Sequence, residues 1–241
     1  MCHYAALFGG RAMIVVYCFS GTGRSRVVAD RLAAELGAEV TAAEKARPEE
    51  DSQADVAVAV FPVYCQNIPK QMKRLLTCLG TKKVAVVATY GKISPGNTLW
   101  EATRRIERNG GRVIAAQAVP IGHTFLSEEA DPPSEMIRCV IDEIRRGETV
   151  HPKRGRKHPL ADLFPALRSR LGVSLRRSAT CTRCGRCTQV CPMGAMKASR
   201  PDHRCVRCLR CVTVCPQHAL TAVPRGMLRR YLKRYRSRSK S

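Results

Sequence analysis

Two groups of cysteines in the last third of the chain have a spacing suited to metal-cluster chemistry. Residues 181–192 and 205–216 each read C-x-x-C-x-x-C-x-x-x-C-P, and the second copy lies 24 positions after the first. Three cysteines in one tight loop can reach three irons of a 4Fe–4S cubane, and the fourth turns away to bind a second cubane. The spacing therefore predicts two 4Fe–4S clusters in this segment.

The cysteine before each proline is expected to cross from one cluster to the other. Each cluster then takes three cysteines from one copy and the last cysteine from the other copy. The predicted ligands are Cys181, Cys184, Cys187 and Cys215 for the first cluster, and Cys205, Cys208, Cys211 and Cys191 for the second. We expect folding of this small segment to depend on cluster assembly, because too little apolar core is available to hold it otherwise.

A pair of zinc sites is the main alternative. Zinc usually takes two separated C-x-x-C pairs or mixtures of Cys and His, and it does not require a third cysteine and a proline-flanked fourth. A disulfide framework conflicts with the expected compartment, because residues 1–12 do not resemble an export signal and cysteines in a reducing compartment stay free. We expect a cytoplasmic protein with an N-terminal extension at 1–12 and no transmembrane segment.

A glycine-rich turn near the N-terminus is a second candidate site. It reads SGTGRS and lies between an apolar run and a helical pattern. The glycines let the main chain approach an anion, while hydroxyls and the free N–H groups of a helix start can donate hydrogen bonds to it. We interpret the turn as a phosphate cradle, with a bare serine–glycine turn as the alternative. Its residues are Ser20, Gly21, Thr22, Gly23, Arg24 and Ser25.

Two further loops follow apolar runs that predict buried parallel strands. In doubly wound sheets, ligands bind beyond the carboxyl ends of the strands. Each loop contains a tyrosine, for which edge packing or hydrogen bonding at the strand end is the alternative to a ligand contact. The candidate residues in the two loops are Pro62, Val63, Tyr64, Thr89, Tyr90 and Gly91.

The surrounding pattern alternates strands with helices and indicates a parallel sheet with helices on both faces. The predicted strands are 13–19, a weak one at 38–43, 54–63, 82–90 and 112–119, and the predicted helices are 27–36, 68–79, 99–108 and 133–146. The predicted domains are an α/β domain at 13–150, a linker at 151–175 with a short helix at 160–171, a cluster domain at 176–224 and a basic tail at 225–241.

These motifs together resemble a flavodoxin–ferredoxin fusion. The glycine turn is similar to the phosphate loop of flavodoxins, although Arg24 replaces the asparagine common there, and residues 176–224 resemble a bacterial ferredoxin with two 4Fe–4S clusters. The resemblance covers about residues 13–224. It implies a flavodoxin-like sheet of order 2-1-3-4-5, followed by a small α+β ferredoxin domain. It also implies an FMN on the glycine turn, with the flavin ring between the loops of Tyr64 and Tyr90.

The charge departs from that family, whose members are usually acidic. The formal charge is +23, and residues 176–241 contain 17 Lys and Arg against one acid, Asp202. Arginines inside the ligand loops should raise the cluster potentials, unless they are only solvated surface charges. These arginines are Arg183, Arg186, Arg207 and Arg210.

The leading functional interpretation is electron transfer between FMN and the two clusters. One alternative is a flavin-dependent reductase of a small acceptor. Another is a redox module whose basic tail docks on an acidic partner or a membrane surface. No catalytic constellation is found, and we interpret His123, His203 and His218 as surface residues. We expect redox partner proteins and no nucleic-acid binding, because no motif for it is present.

Overall fold

The computed structural model describes residues 12–49, 54–79, 82–91, 94–125, 131–156, 158 and 165–238. The described residues form two compact units, of which the first takes most of 12–158 and the second takes 165–238 together with 21–23 and 124–125. The predicted N-terminal extension and the start of the predicted helix at 160–171 lie outside the described residues, apart from Ala12.

The first unit is built on a five-stranded parallel sheet. Its strands are β1 (Ile14–Cys18), β2 (Val40–Ala42), β3 (Val56–Pro62), β4 (Lys83–Tyr90) and β5 (Arg112–Pro120). Their order is β2-β1-β3-β4-β5, which confirms the predicted order and the flavodoxin-like fold class. The central strands are runs of valine and alanine because both of their faces are covered.

Four helices cover this sheet. They are α1 (Arg24–Leu36), α2 (Lys70–Cys78), α3 (Thr98–Glu107) and α4 (Ser134–Arg146). Helix α1 contacts α4, and α2 contacts α3. The buried side chains of α1 and α4, such as Leu32 and Ile141, join one apolar core with β1 and β3. Because α1 begins at Arg24, three residues before the predicted start, the helix N-terminus lies within the glycine turn.

The second unit is a small α+β domain. Its elements are α5 (Pro165–Gly172), β6 (Val173–Arg177), α6 (Arg186–Gln189), β7 (Met196–Lys197), β8 (Arg200–Pro201), α7 (Arg210–Thr213), β9 (Leu220–Pro224) and α8 (Gly226–Arg238). Strands β6 and β9 pair antiparallel, as do β7 and β8. Strand β6 begins inside the segment predicted as linker, and the basic tail forms α8. None of the helices in the described part of the chain is both long and apolar enough to cross a membrane.

The 24-residue repeat is preserved in the main chain of the second unit. Equivalent positions adopt the left-handed conformation that L-residues usually avoid. The three pairs, with their φ angles, are Arg183 (56°) and Arg207 (57°), Gly185 (79°) and Leu209 (67°), and Gly194 (56°) and His218 (46°). The two copies therefore fold into the same loop even where the second copy lacks glycine.

Candidate cofactor sites

The first predicted ligand set lines one open cavity in the second unit. Cys181, Cys184 and Cys187 come from the loop before α6 and its first turn, and Cys215 follows α7. The cavity has an open volume of about 330 Å³. Three of these cysteines belong to the first copy of the repeat and one to the second copy. The structure thus brings together the crossed set expected from the spacing.

The second predicted set also lies close together. Burial first, and then the charges of the neighbouring Cys208, Cys205, Cys191 and Cys187, together raise the pKa of the Cys211 thiol to about 12. Burial likewise raises the pKa of Cys208. The raised pKa values favour the protonated thiols, so a metal bound by them would displace their protons.

The same polar contact holds both crossing cysteines. The main-chain N–H of Ala195 donates to Sγ of Cys191 at 3.2 Å, and that of Ala219 donates to Sγ of Cys215 at 3.3 Å. Hydrogen bonds to a ligating sulfur favour its charged form. The turn after each proline therefore orients the thiol of the crossing cysteine and provides a main-chain N–H donor for it.

No three His, Cys, Asp or Glu side chains among the described residues are arranged to hold a single metal ion. A cubane differs from a single ion because each of its four irons takes its own thiolate. The four cysteine ligands of a cubane therefore lie farther apart than the ligands of a single metal ion.

One hydroxyl distinguishes the two cysteine sets. Oγ of the buried Ser199 lies 3.6 Å from Sγ of Cys181 and 3.5 Å from Sγ of Cys187. This hydroxyl is the main cause of the lowered pKa of Cys181, followed by the main-chain N–H of Arg183. The equivalent position in the second copy is Val223, which has no hydroxyl. Ser199 is not among the predicted site residues, and this break in the repeat is the signal that could have found it.

Replacing Ser199 with alanine should lower the reduction potential of the cluster predicted at Cys181, Cys184, Cys187 and Cys215 relative to that of the other predicted cluster. Loss of a hydrogen-bond donor to sulfur disfavours the more negative, reduced state, and we expect a shift on the order of tens of millivolts. Redox titration followed by electron paramagnetic resonance measures both clusters in one sample. Ser199→Thr keeps the hydroxyl and is the matched control. Equal potentials for the wild type and Ser199→Ala would contradict this role.

The four loop arginines occupy two kinds of environment. Arg183 and Arg186 are exposed. Arg207 is half-buried and donates from Nε to the carbonyl of Val173 at 3.0 Å, while Nη1 of Arg210 donates to the carbonyl of Val190 at 3.5 Å. Their predicted effect on the potentials stays a prediction. Substitution of Arg207 or Arg210 will also remove a hydrogen bond to a main-chain carbonyl. The exposed Arg183 and Arg186 therefore offer the cleaner test of how charge affects the potential.

The glycine turn is tied to the neighbouring strand ends. Oγ of the buried Ser25 shares a 2.8 Å hydrogen bond with Oγ1 of Thr89, and this Thr89 hydroxyl also donates to the carbonyl of Phe61 at 3.4 Å. Gly23 has a φ of 89°, and a side chain there would meet no neighbouring atom, so its requirement is conformational. The start of α1 and the carboxyl ends of β3 and β4 therefore meet, as the sheet order predicts.

A strained turn presents Tyr64 after β3. Tyr64 and Asn67 exchange main-chain hydrogen bonds of 3.1 and 2.9 Å, and Cys65 and Gln66 between them have φ angles of 50° and 62°. Each left-handed non-glycine residue costs about 1–2 kcal/mol. The Tyr64 ring is half-buried and stands edge-on to Phe19, with centroids 6.3 Å apart. Such strain persists only where surrounding contacts hold it, and it is typical of ligand loops.

Gln66 provides those contacts. Its Nε2 donates to Oγ of Ser94 at 3.1 Å, and its Oε1 accepts from the main-chain N–H of His158 at 2.8 Å. A side chain at Gly96 would come within 2.7 Å of Cβ of Gln66, so glycine is needed there. Gln66 is a positioning residue that our sequence analysis did not assign.

The interpretation of His123 as a surface residue needs a correction, because its side chain packs closely beside Gly91. It is half-buried, and a Cβ built on Gly91 would lie 2.6 Å from Cδ2 of His123, so only glycine fits at position 91. Arg24 donates from Nη1 to the carbonyl of Gly122 at 3.1 Å. Burial lowers the pKa of His123, and the Arg24 cation lowers it further. Arg24 of the glycine turn and Gly91 of the Tyr90 loop are thus joined through the segment after β5.

The lowered pKa of His123 predicts a pH-dependent stability. The unfolded chain takes up this proton near pH 6.5, whereas the folded protein resists it, so stability falls as pH drops below about 6.5. Above that value His123 is neutral in both states. Urea unfolding of the first unit, followed by the fluorescence of its single tryptophan, Trp100, should show a smaller loss between about pH 7.5 and 5.5 in His123→Gln than in the wild type.

His203→Gln is the control for this experiment, because His203 is exposed in the second unit. If the stability of His123→Gln depends on pH as strongly as that of the wild type, His123 is not the cause of the pH dependence.

Comparison with known proteins gives different results for the two units. Residues 174–216 match the family model of the 4Fe-4S dicluster domain. No curated protein sequence matches the chain significantly.

Among solved structures, the two-electron reduced flavodoxin of Megasphaera elsdenii shares 18% identity, covering 56% of this chain and 99% of its own, with a TM-score of 0.43. A flavodoxin from the domain Archaea shares 16% identity over 56% of this chain and 98% of its own, with a TM-score of 0.44. A Fusobacterium nucleatum flavodoxin variant, solved with bound flavin mononucleotide, shares 14% identity over 58% and 100%, with a TM-score of 0.39.

The chain therefore joins a flavodoxin-like unit, defined by its own strand order, to a 4Fe–4S dicluster domain. This is the combination that the resemblance to flavodoxin–ferredoxin fusions implies.

Proposed function

We propose that this protein transfers electrons by coupling an FMN to two 4Fe–4S clusters held in one chain. The observation that carries the proposal is the cavity lined by three cysteines of one copy and by Cys215 of the other. When bound, the clusters would carry one electron each and the flavin one or two, so the chain could convert single electrons into pairs. The protein's own residues bind and orient these groups and tune their charge.

The cysteine residues fit the clusters in number and chemistry. Each set offers four thiols, and the crossing thiol of each set receives a main-chain N–H. The first set is more polar, owing to Ser199, and the second set is more buried. The two clusters would therefore differ in potential, which gives the electron a preferred direction within the domain.

The sheet edge of the first unit fits a flavin mononucleotide. The start of α1 offers N–H groups to a phosphate, and Arg24 places a cation beside it. Tyr64 and Tyr90 are both half-buried at the ends of neighbouring strands, as a ring sandwich would need. Gly91 leaves no room for a side chain beside His123, so the main chain of the Tyr90 loop lies close to the His123 side chain.

Anaerobic purification of the full chain, with iron, acid-labile sulfide and flavin assays on one sample, tests this function. We expect about eight irons, eight sulfides and one FMN per chain. Colourless protein containing zinc would contradict the cluster assignment. Full iron and sulfide without flavin, after incubation with excess FMN, would contradict the flavin assignment alone.

The proposal includes a cytoplasmic location and redox proteins as partners. Cluster assembly needs free thiols, which a reducing compartment maintains. All twelve cysteines in the described residues are free.

A further inference from the structure

The helix pair α5–α8 carries most of the exposed large apolar side chains of the described residues. Four such side chains are exposed: Met13 at 56%, Leu171 at 67%, Met227 at 79% and Tyr231 at 41%. The last three belong to α5 and α8, which pack together. A concentration of this kind indicates an interaction surface rather than scattered surface residues.

The packing of α8 explains why these side chains face outward. Leu232 is 5% exposed and Leu228 is half-buried, so positions 228 and 232 form the face that packs on the unit. Leu228 lies beside Gly172, whose carbonyl accepts a 2.8 Å hydrogen bond from the N–H of Arg225. Met227 and Tyr231 are also four residues apart, but each precedes one of these leucines by one residue, which is about 100° of rotation around the helix. They therefore form a separate exposed stripe.

The charge around this stripe has one sign. Residues 225–241 contain eight Lys and Arg, and no acidic residue occurs after Asp202, which is itself bonded to Arg204. Arg229, Arg230 and Lys233 are exposed on α8. Cations beside exposed apolar side chains on one helix are the pattern of a helix that lies in the plane of a membrane interface.

We propose that the α5–α8 surface docks on an anionic lipid bilayer. The cations would approach the lipid phosphates and carboxylates while Met227, Tyr231 and Leu171 insert among the headgroups. Tyrosine suits this depth because its ring is apolar and its hydroxyl stays hydrated. An acidic protein would satisfy the cations, but each protruding apolar side chain would also need a matching pocket. A bilayer accepts them without one.

Co-sedimentation of the full holoprotein with vesicles tests this surface. The probes are vesicles of phosphatidylcholine alone and vesicles containing phosphatidylserine. We expect binding only to the latter, reduced about tenfold by the double substitution Met227→Ser and Tyr231→Ser, and similarly by Arg229→Gln, Arg230→Gln and Lys233→Gln together. Met13→Ser is the control for the apolar change, and Arg108→Gln, Arg112→Gln and Arg138→Gln together are the control for the charge change.

Three outcomes would overturn the proposal. The first is no binding to anionic vesicles, and the second is an equal loss in the control variants. The third is a loss on charge removal with none on apolar removal, which would show that the surface is only attracted to the lipid charge and does not insert its apolar side chains. Iron and flavin content, measured on each variant, confirms that it is folded and loaded. Because those assays also test the proposed function, the two proposals can fail separately.

Discussion

Replacing Cys181 and Cys215 together with alanine should remove no more iron than replacing either one alone. Both line the same cavity although they come from different copies of the repeat, so either change already destroys the site. Each of these variants should lose about four of the eight irons. Replacing Cys181 together with Cys191 should remove nearly all eight, because the proposed crossed arrangement assigns these residues to different clusters although they are near in sequence.

Iron and sulfide analysis of the two double variants and their three parent variants measures this directly. If each cluster were instead held by four cysteines of one copy, Cys181 with Cys191 would give the half-loss and Cys181 with Cys215 the full loss. A single loss that unfolds the whole domain would hide the contrast. Cys→Ser substitutions at the same positions keep a possible oxygen ligand and therefore disturb the domain less than Cys→Ala does. They provide a second set of variants for the same iron and sulfide analysis.

Replacing Thr22 with aspartate should weaken FMN binding at least about 100-fold. The new carboxylate would stand in the turn before α1, where the proposed ligand places its phosphate, and like charges at close range cost several kcal/mol. Thr22→Asn has a similar size without the charge and should have a much smaller effect. Quenching of flavin fluorescence on addition of the apoprotein measures both affinities.

Riboflavin provides the internal control for this prediction, because it lacks the phosphate. Its affinity should be nearly the same in the wild type and in Thr22→Asp. A parallel loss of riboflavin and FMN binding would show that the substitution damages the ring site or the fold, and the phosphate assignment would be wrong.

The sheet could be predicted from the sequence because its strands are locally encoded. Valine and alanine runs such as 56–60 need no distant partner to be recognised, and the resemblance supplied their order. The start of α2 shows the limit of such patterns. Apolar spacing suggested a helix from Ile68, but Pro69 has an extended conformation (φ −56°, ψ 144°), and the helix begins at Lys70.

The features that were missed depend on contacts between distant segments. Ser199 reaches Cys181 only because β7 and β8 form a hairpin, and position 199 lies in its turn. His123 meets Gly91 because the segments after β4 and β5 emerge at the same edge of the sheet. The first three residues of strand β6 fall in the predicted linker, because VSLRR is short and its partner, β9, lies more than 40 residues further along the chain.

The cavity shared by the two copies of the repeat also determines when its cofactor can be completed during synthesis. The ribosome releases the first-copy cysteines first, namely Cys181, Cys184 and Cys187. Cys215, which also lines the cavity, is synthesised 28 residues after Cys187. With the cluster bound as we propose, the first copy alone offers three of its four thiols while it emerges. Complete ligation of that cluster would then require both copies to have been translated.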